Sequence, residues 1–547
     1  MMPVLSFCIS SLGFIAGLSI TSFHFPALVL VNTGFVFVVV KQIQSDVRIK
    51  SFLIAVLLFA ALSTWGMLHL NGVYDTSYDG TWYHQEAILN LYRGWNPYHK
   101  ILTPDDGSQY GPFYVNHYPK AAWIAEGIVY AFTNKIETAK VVNLWMAAGL
   151  LFISLYVLML FKSIPFWLAV LLSILLGLNP VSLYQLYSFY VDGILGASLM
   201  IMMFLLVSSV LTSKTVFSVL ALLVFVFVAN IKFTGLVYGV IILAFYLLYL
   251  LWKKQDIIGD LTKMCLGGLF AVFIMGYPTY VTNTMNNGHP FFPIMGPESF
   301  GDVIAAIPQP ANFKNKNRFE KFGTALFAEP VWSRAPLETR PKHLFKPVSD
   351  KHYFTRPDFE LSGLGPYQAE IFLLFIPAFL LLLVLKLPHK KETLFVLLML
   401  FCCTFINSEA WYARYAPHLW LSGIVLIVVL YRHKYAKYVS LLLTAALLFN
   451  VAVLAVLYID GNIHKSIEAH RQINTLKKLN RPVSIAKGWQ VTFETRAKEA
   501  GLDYRFVNID STYKQDEYSI FSGFHNESAR FKLSELEEGK KIIANGP

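Results

Sequence analysis

The chain is poor in charge. Only 14% of its 547 residues are Asp, Glu, Lys or Arg, against about 25% in a soluble globular chain. With 55% hydrophobic residues and a mean hydropathy of +0.51, it lacks the polar surface that one soluble domain, or several in tandem, would need in water. Cysteine is scarce as well. Cys8, Cys265, Cys402 and Cys403 all lie in apolar runs, which excludes a disulfide framework in the aqueous parts, and no Cys/His spacing suggests zinc. The N-terminus, MMPVLSFCISSLGF, has no basic n-region, so its apolar run reads as a retained helix and not a cleavable signal. No internal repeat is evident, which weighs against transporter folds built from repeated halves.

What the chain does have is a series of apolar runs of about 18–20 residues, long enough to cross a bilayer. Spans are expected near residues 4–20, 24–40, 52–70, 139–161, 165–180, 190–211, 215–230, 233–252, 261–281, 369–387, 393–407, 416–431 and 437–458. The expected fold is therefore an all-α polytopic membrane protein with about 13 transmembrane helices. Its formal charge of +11 reads as cytoplasmic-loop lysine and arginine, and no nucleic-acid-binding motif stands beside those charges. The short loops KQIQSDVRIK, WKKQ, KLPHKKE and YRHKYAK all fall on one side if the N-terminus is cytoplasmic, as the positive-inside rule requires. The outer side then receives loops 71–138 and 282–368, the turn near 408–415, and the tail. In a bacterial cell this describes a multi-pass protein of the cytoplasmic (inner) membrane with an extracytoplasmic C-terminus.

That topology requires residues 121–132, AAWIAEGIVYAF, not to cross. At ~1.5 Å per residue such a helix cannot span a ~30 Å core, so an interfacial or re-entrant helix on the outer face is expected. The domain division is a transmembrane body, 1–458, and an extracytoplasmic module, 459–547. In the module HKSIEAHRQINTLKKL has helical periodicity, and RPVSIAK, DYRFVNI and KKIIAN read as strands, giving a small α/β unit. It shows no nucleotide-binding glycine pattern and no nucleophile elbow.

The polar residues able to do chemistry gather at the outer face. In SYDGTWYHQEA, Asp79 precedes Trp82, His84 and Glu86. A carboxylate at a membrane–water boundary suits general-base work, since partial burial tunes its pKa; an Asp capping the helix from Thr81 is the structural alternative. Asp75, Asp105 and Asp106 read as turn or solvated loop residues. Asp192 opens an apolar run and reads most simply as a solvated helix start. Lys232, in VANIKFTG, lies between apolar runs and either snorkels or meets an anion such as a lipid phosphate. Arg414, between Tyr412 and Tyr415, can anchor in an aromatic belt or grip a phosphate bidentately. His84, His99 and His117 with Asp79 lack metal-ligand spacing, so no metal is assigned.

Taken together, SYDGTWYHQEA, GWNPYH, NPVSLYQLYSFYVDG, NIKFTG, TNTMNNGHPFFP and EAWYARYAPHLW make the chain resemble bacterial members of the GT-C superfamily of integral-membrane glycosyltransferases, over roughly residues 50–430. The resemblance implies inverting transfer of a sugar from a polyprenyl-phosphate donor to a cell-envelope glycan, lipid or protein acceptor. It implies Asp79 as the base, with Lys232 and Arg414 the available cations for the leaving phosphate. His84, Glu86, Trp82, Trp95, Asp192 and Tyr412 are candidate substrate contacts. Many relatives pair the loop acid with a second acid; here the neighbour is Gly80, so neither metal nor other cofactor is expected. The alternatives are a lipid-glycan transporter or flippase, and a polysaccharide polymerase or ligase using a diphosphate-linked donor. A flippase would distribute cations through the bundle, whereas these cluster at one face.

Overall fold

The computed structural model describes residues 1–44, 47–108, 111–297, 299, 309–333, 335–348, 350–358, 360–487, 492–507, 518–522 and 529–544. Each of the thirteen expected spans falls on helix, but they are not equally long. Among the described residues seven helices are long and apolar enough to cross a membrane by themselves: His24–Ile43, Ile49–Asn71, Ile136–Leu160, Asp192–Thr212, Phe233–Trp252, Ile258–Met275 and Ala436–Lys477. These make the chain an integral membrane protein. Other apolar helices, including Met2–Ile15, Phe166–Gly177 and Thr215–Ala229, have only 10–17 residues. At ~1.5 Å per residue they reach about 15–26 Å, less than a ~30 Å hydrocarbon core. A count of about thirteen crossings is therefore not borne out.

Burial sorts the helices. Asp192–Thr212 is buried from Asp192 to Leu206 except at Ile201, and packs between Val141–Leu160 and Thr215–Ala229. His24–Ile43 buries only Phe25 and Leu28, and Ile49–Asn71 only Ser63, Gly66 and Leu70; their apolar outer faces are suited to lipid. Because Thr215–Ala229 returns between them, Asp192–Thr212 and Phe233–Trp252 start at the same end of the bundle. The loop after Asn71 folds over that end.

Residues 121–132 do form a short helix, Ala121–Thr133, with Ala121 to Ala131 buried throughout. It packs against Gln85–Tyr92, Met2–Ile15 and Ile136–Lys140. An interfacial helix would keep one face open to headgroups and water, so of the two expected forms the interfacial one is corrected.

The C-terminal module differs from expectation in two places. The helix expected at 464–479 is not separate: Ala436–Lys477 is one helix of 42 residues, about 63 Å long, running unbroken past residue 458. Its last turns supply Ala469, Ile473 and Leu476 to the module core with Val483, Ile485, Phe493 and Phe531. Strands β1 (Val483–Lys487), β2 (Tyr504–Val507), β3 (Tyr518–Ile520) and β4 (Ala529–Lys532) form a sheet in the order β2-β1-β4-β3. β1 and β2 are parallel, joined through helix Thr492–Ala500, and the other pairs are antiparallel. RPVSIAK is thus a strand, as is DYRFVNI as far as Val507; Asn508 and Ile509 lie outside the described residues. KKIIAN is not a strand. Helix Leu533–Ala544 runs through it, because the preceding SELEEG sets a helical register and seats Leu536 and Gly539 on the long helix; Asn545 lies outside the described residues.

Candidate active site

The loop after Asn71 begins with a buried anchor. Asp75 is fully buried, not solvated. Its Oδ1 accepts from the Ser77 amide (2.7 Å), and its Oδ2 from the Ser77 hydroxyl (2.9 Å) and the Phe189 amide (2.9 Å). Gly80 packs onto that turn so closely that a Cβ there would lie 2.0 Å from Ser77 Oγ and 2.3 Å from Asp75 Oδ2. A side chain at position 80 would therefore require Ser77 and Asp75 to shift. Gly80–His84 then forms a π-helical turn ahead of helix Gln85–Tyr92, a feature frequent at functional sites.

This geometry leaves the helix-cap reading of Asp79 without support. Its backbone is already helical, and its side chain makes no capping hydrogen bond. The carboxylate turns away from the helix end to Arg414, with Oδ2 3.3 Å from a guanidinium nitrogen. The Asp79 amide donates to the Tyr190 hydroxyl (3.4 Å). Burial raises the Asp79 pKa above the usual carboxylate range, and the Arg414 charge opposes that rise.

Arg414 lies under three rings, with its guanidinium carbon 4.8 Å from the Tyr190 centroid, 4.7 Å from Tyr412 and 5.1 Å from Tyr415. The segment is held in place by Tyr238, whose hydroxyl donates to the Tyr415 carbonyl (2.7 Å). It also approaches helix Asp192–Thr212 at Gly196, where a Cβ would sit 2.5 Å from Pro417. Tyr412 is buried, and its hydroxyl donates to the Asp358 carbonyl.

Lys232 neither snorkels nor stands alone. Its Nζ is 2.6 Å from Asp192 Oδ1 and 4.6 Å above the Tyr415 ring. Asp192 is 2% exposed, which corrects the solvated helix start. Gln185 donates to its Oδ2 (3.3 Å), and that oxygen also lies 4.0 Å from Arg414. Two carboxylates and two cations from four separate segments thus form one chain, Asp79–Arg414–Asp192–Lys232.

The other expected contacts divide. His84 is buried beside the cluster; burial lowers its pKa to about 3. Its Nδ1 accepts from the Trp123 indole (2.6 Å), which keeps the ring neutral with its proton on Nε2. Trp82 joins a wall of rings with Tyr83, Tyr114 and Tyr118 that continues to Phe233, next to Lys232. Glu86 turns elsewhere and accepts from Ser108 Oγ (2.5 Å). Trp95 is 4% exposed and donates its indole N–H to the Lys100 carbonyl; it is a packing residue and offers no face to a sugar. His99 reaches Ile15, and His117 reaches Asn283 and Pro112, so the three histidines do not converge. Among the described residues no group of three or more His, Cys, Asp or Glu has metal-holding geometry. Tyr190, Gln185 and the anchoring role of Asp75 are not singled out by the sequence; the signal pointing to them is the aromatic and amide density around Asp192.

An apolar cavity of about 660 Å³ is lined by Phe322, Phe375, Phe405, Trp420 and Leu447 among others, and by no member of the cluster. A small neighbouring pocket shares Phe322 and Leu326 with it and is bounded by Trp411, Ala413 and Ala416, flanking Arg414.

No family model matches the chain, and no curated protein matches it. Among solved structures it is similar to ArnT from Cupriavidus metallidurans bound to undecaprenyl phosphate. That match has 11% identity and a TM-score of 0.43, over 89% of this chain and 88% of that one. The apo state of the same protein gives 12% identity and a TM-score of 0.36, over 83% and 86%. The functional reading therefore rests on this chain's own residues.

Proposed function

We propose that the chain is an inverting glycosyltransferase that moves a sugar from a polyprenyl-phosphate donor to a cell-envelope glycan, lipid or protein acceptor at the outer face of the membrane. The supporting observation is the Asp79–Arg414 contact at 3.3 Å, which sets a carboxylate base beside a phosphate-binding cation. Asp79 takes the acceptor hydroxyl proton, and the oxygen attacks the anomeric carbon. The bond from that carbon to the phosphate oxygen breaks, and the lipid phosphate leaves with the electron pair. Arg414 and Lys232 neutralise the departing charge. As the guanidinium turns to the phosphate, Asp79 loses the charge that held its pKa down, so donor binding strengthens the base. The apolar cavity lined by Phe322 and Trp420 suits a lipid tail, and the Trp82–Tyr118 ring wall suits sugar faces. No metal or other cofactor is assigned to the step.

The purified protein, given a panel of polyprenyl-monophosphate sugars and diphosphate-linked glycans, is expected to turn over a monophosphate sugar. Transfer from diphosphate donors alone would instead make it a polymerase or ligase, and facilitated movement of intact lipid without transfer a flippase.

The orientation has its own test. Ser108 is 1% exposed and a poor reporter, whereas Asp105 is exposed. In a chain with Cys265 and Cys402 replaced by serine, Asp105→Cys is expected to react with an impermeant thiol reagent from outside the cell. Labelling from the cytoplasmic side alone would overturn the outer-face assignment.

A further inference from the structure

The C-terminal module sends one side chain deep into the base of the Asp79 loop. Arg496, on helix Thr492–Ala500, is 1% exposed. Its Nε donates to Glu137 Oε1 (2.6 Å), and one terminal nitrogen lies 2.5 Å from the same oxygen. That terminal nitrogen also donates to the Asp75 carbonyl (2.9 Å), and the guanidinium covers the Tyr74 ring at 4.9 Å. The other Glu137 oxygen accepts from Lys140 (2.5 Å) and from the Asp75 amide (3.2 Å). Asp75 is therefore gripped at its carbonyl by Arg496 and at its amide by Glu137, while its carboxylate organises Ser77 and Phe189.

Both arms of that carboxylate lead to the cluster. Through Ser77 it sets the turn on which Gly80 packs, directly after Asp79. Through Phe189 it fixes the strand of chain bearing Tyr190, which accepts from the Asp79 amide and stacks on Arg414. Burying Arg496 and Lys140 with the carboxylates of Glu137 and Asp75 is costly unless the polar atoms are satisfied, and a surface module needs no such device merely to stay attached. Attachment is already provided nearby: Glu499 accepts from the Ile136 amide (2.9 Å), and Lys135 donates to the Glu499 carbonyl (2.9 Å).

We infer that Arg496 is a positioning residue, through which the C-terminal module holds Asp79 and Arg414 in reactive register by clamping Asp75. The inference rests on the reading of Asp79 as the base. Displacing a reacting group by about 1 Å can cost ~10²-fold in rate, so Arg496→Ala is expected to lower kcat by ~10–100-fold with little change in donor KM. Free guanidinium ion should restore part of the loss by filling the vacated site. Glu499→Gln, which changes the attachment contact at the Ile136 amide and leaves the Arg496–Asp75 clamp in place, should leave kcat unchanged.

The experiment measures kcat, donor KM and guanidinium rescue on full-length Arg496→Ala, Glu499→Gln and Asp79→Asn in detergent or nanodiscs. If Arg496→Ala does not fold, Arg496→Lys replaces it. Lysine keeps a charge for Glu137 but cannot hold Glu137 and the Asp75 carbonyl together as the planar fork does, so its kcat should also fall at unchanged KM. Wild-type kcat in a folded Arg496 variant, alongside an inactive Asp79→Asn, overturns the inference and leaves the base assignment standing. Equal losses in the Arg496 and Glu499 variants also overturn it, by reducing Arg496 to attachment. An active Asp79→Asn fails the base assignment itself, and the inference with it.

Discussion

Asp79→Asn is expected to fold, to bind donor and to turn over ~10²–10⁴-fold more slowly at saturating donor, the usual cost of losing general-base assistance. Asparagine matches aspartate in size, and since Asp79 makes no capping bond there is no cap to lose. Its amide still accepts a hydrogen bond from Arg414 but cannot take up the acceptor's proton. The pH dependence follows from the same environment. Asp79 must be ionised to act, and burial raises its pKa, so wild-type turnover should climb with pH through a value above the ordinary carboxylate range. The limb should fall away on the acid side and be missing in Asp79→Asn. Glu86→Gln, whose carboxylate is engaged with Ser108, should be impaired less. Near-wild-type turnover in Asp79→Asn would remove this residue from the mechanism and return the flippase reading to consideration.

The second large effect is expected at Arg414. Removing a preorganised charge that meets a developing anion typically costs ~10²–10³ in kcat, and Arg414→Ala should show that loss with a rise in donor KM. Arg414→Lys should recover little. A lysine ammonium cannot bind two phosphate oxygens as a planar fork, nor lie flat among Tyr190, Tyr412 and Tyr415. Lys232→Ala should be milder in kcat, because Lys232 is already committed to Asp192 at 2.6 Å. Removing it leaves a buried carboxylate without its main partner, so thermal stability has to be followed in parallel. Unchanged donor affinity and turnover in a folded Arg414→Ala would leave this arginine as an anchor in an aromatic belt.

The sequence made the candidate residues legible one at a time and left their connections hidden. Asp79, Lys232 and Arg414 could each be singled out because a charge beside apolar runs is costly wherever it sits. That Lys232 pairs with Asp192, forty positions away, depends on Thr215–Ala229 returning the chain to the same end of the bundle, and no local pattern encodes that. Trp95 misled because an indole reads alike in a core and in a binding wall until its N–H partner is known. KKIIAN misled because two adjacent isoleucines favour a strand, while the helix started by SELEEG carries straight through them. The long helix from Ala436 was divided at residue 458 because hydropathy stops there although helical hydrogen bonding does not. Apolar runs were legible; which of them are enclosed by neighbours, as Asp192–Thr212 is, and which stay open, as His24–Ile43 does, was not.

Gly80 bears on how this site can change over generations. Every glycine codon lies one base change from a codon for aspartate or glutamate, so an adjacent acid beside Asp79 must arise repeatedly by mutation. It would meet Ser77 and Asp75 at distances no side chain tolerates, and would dislodge the carboxylate that organises the loop. A two-acid site is therefore near in codon space and obstructed in physical space. Reaching it would require the Ser77 and Asp75 side chains to give way, at the cost of the hydrogen bonds that organise the loop.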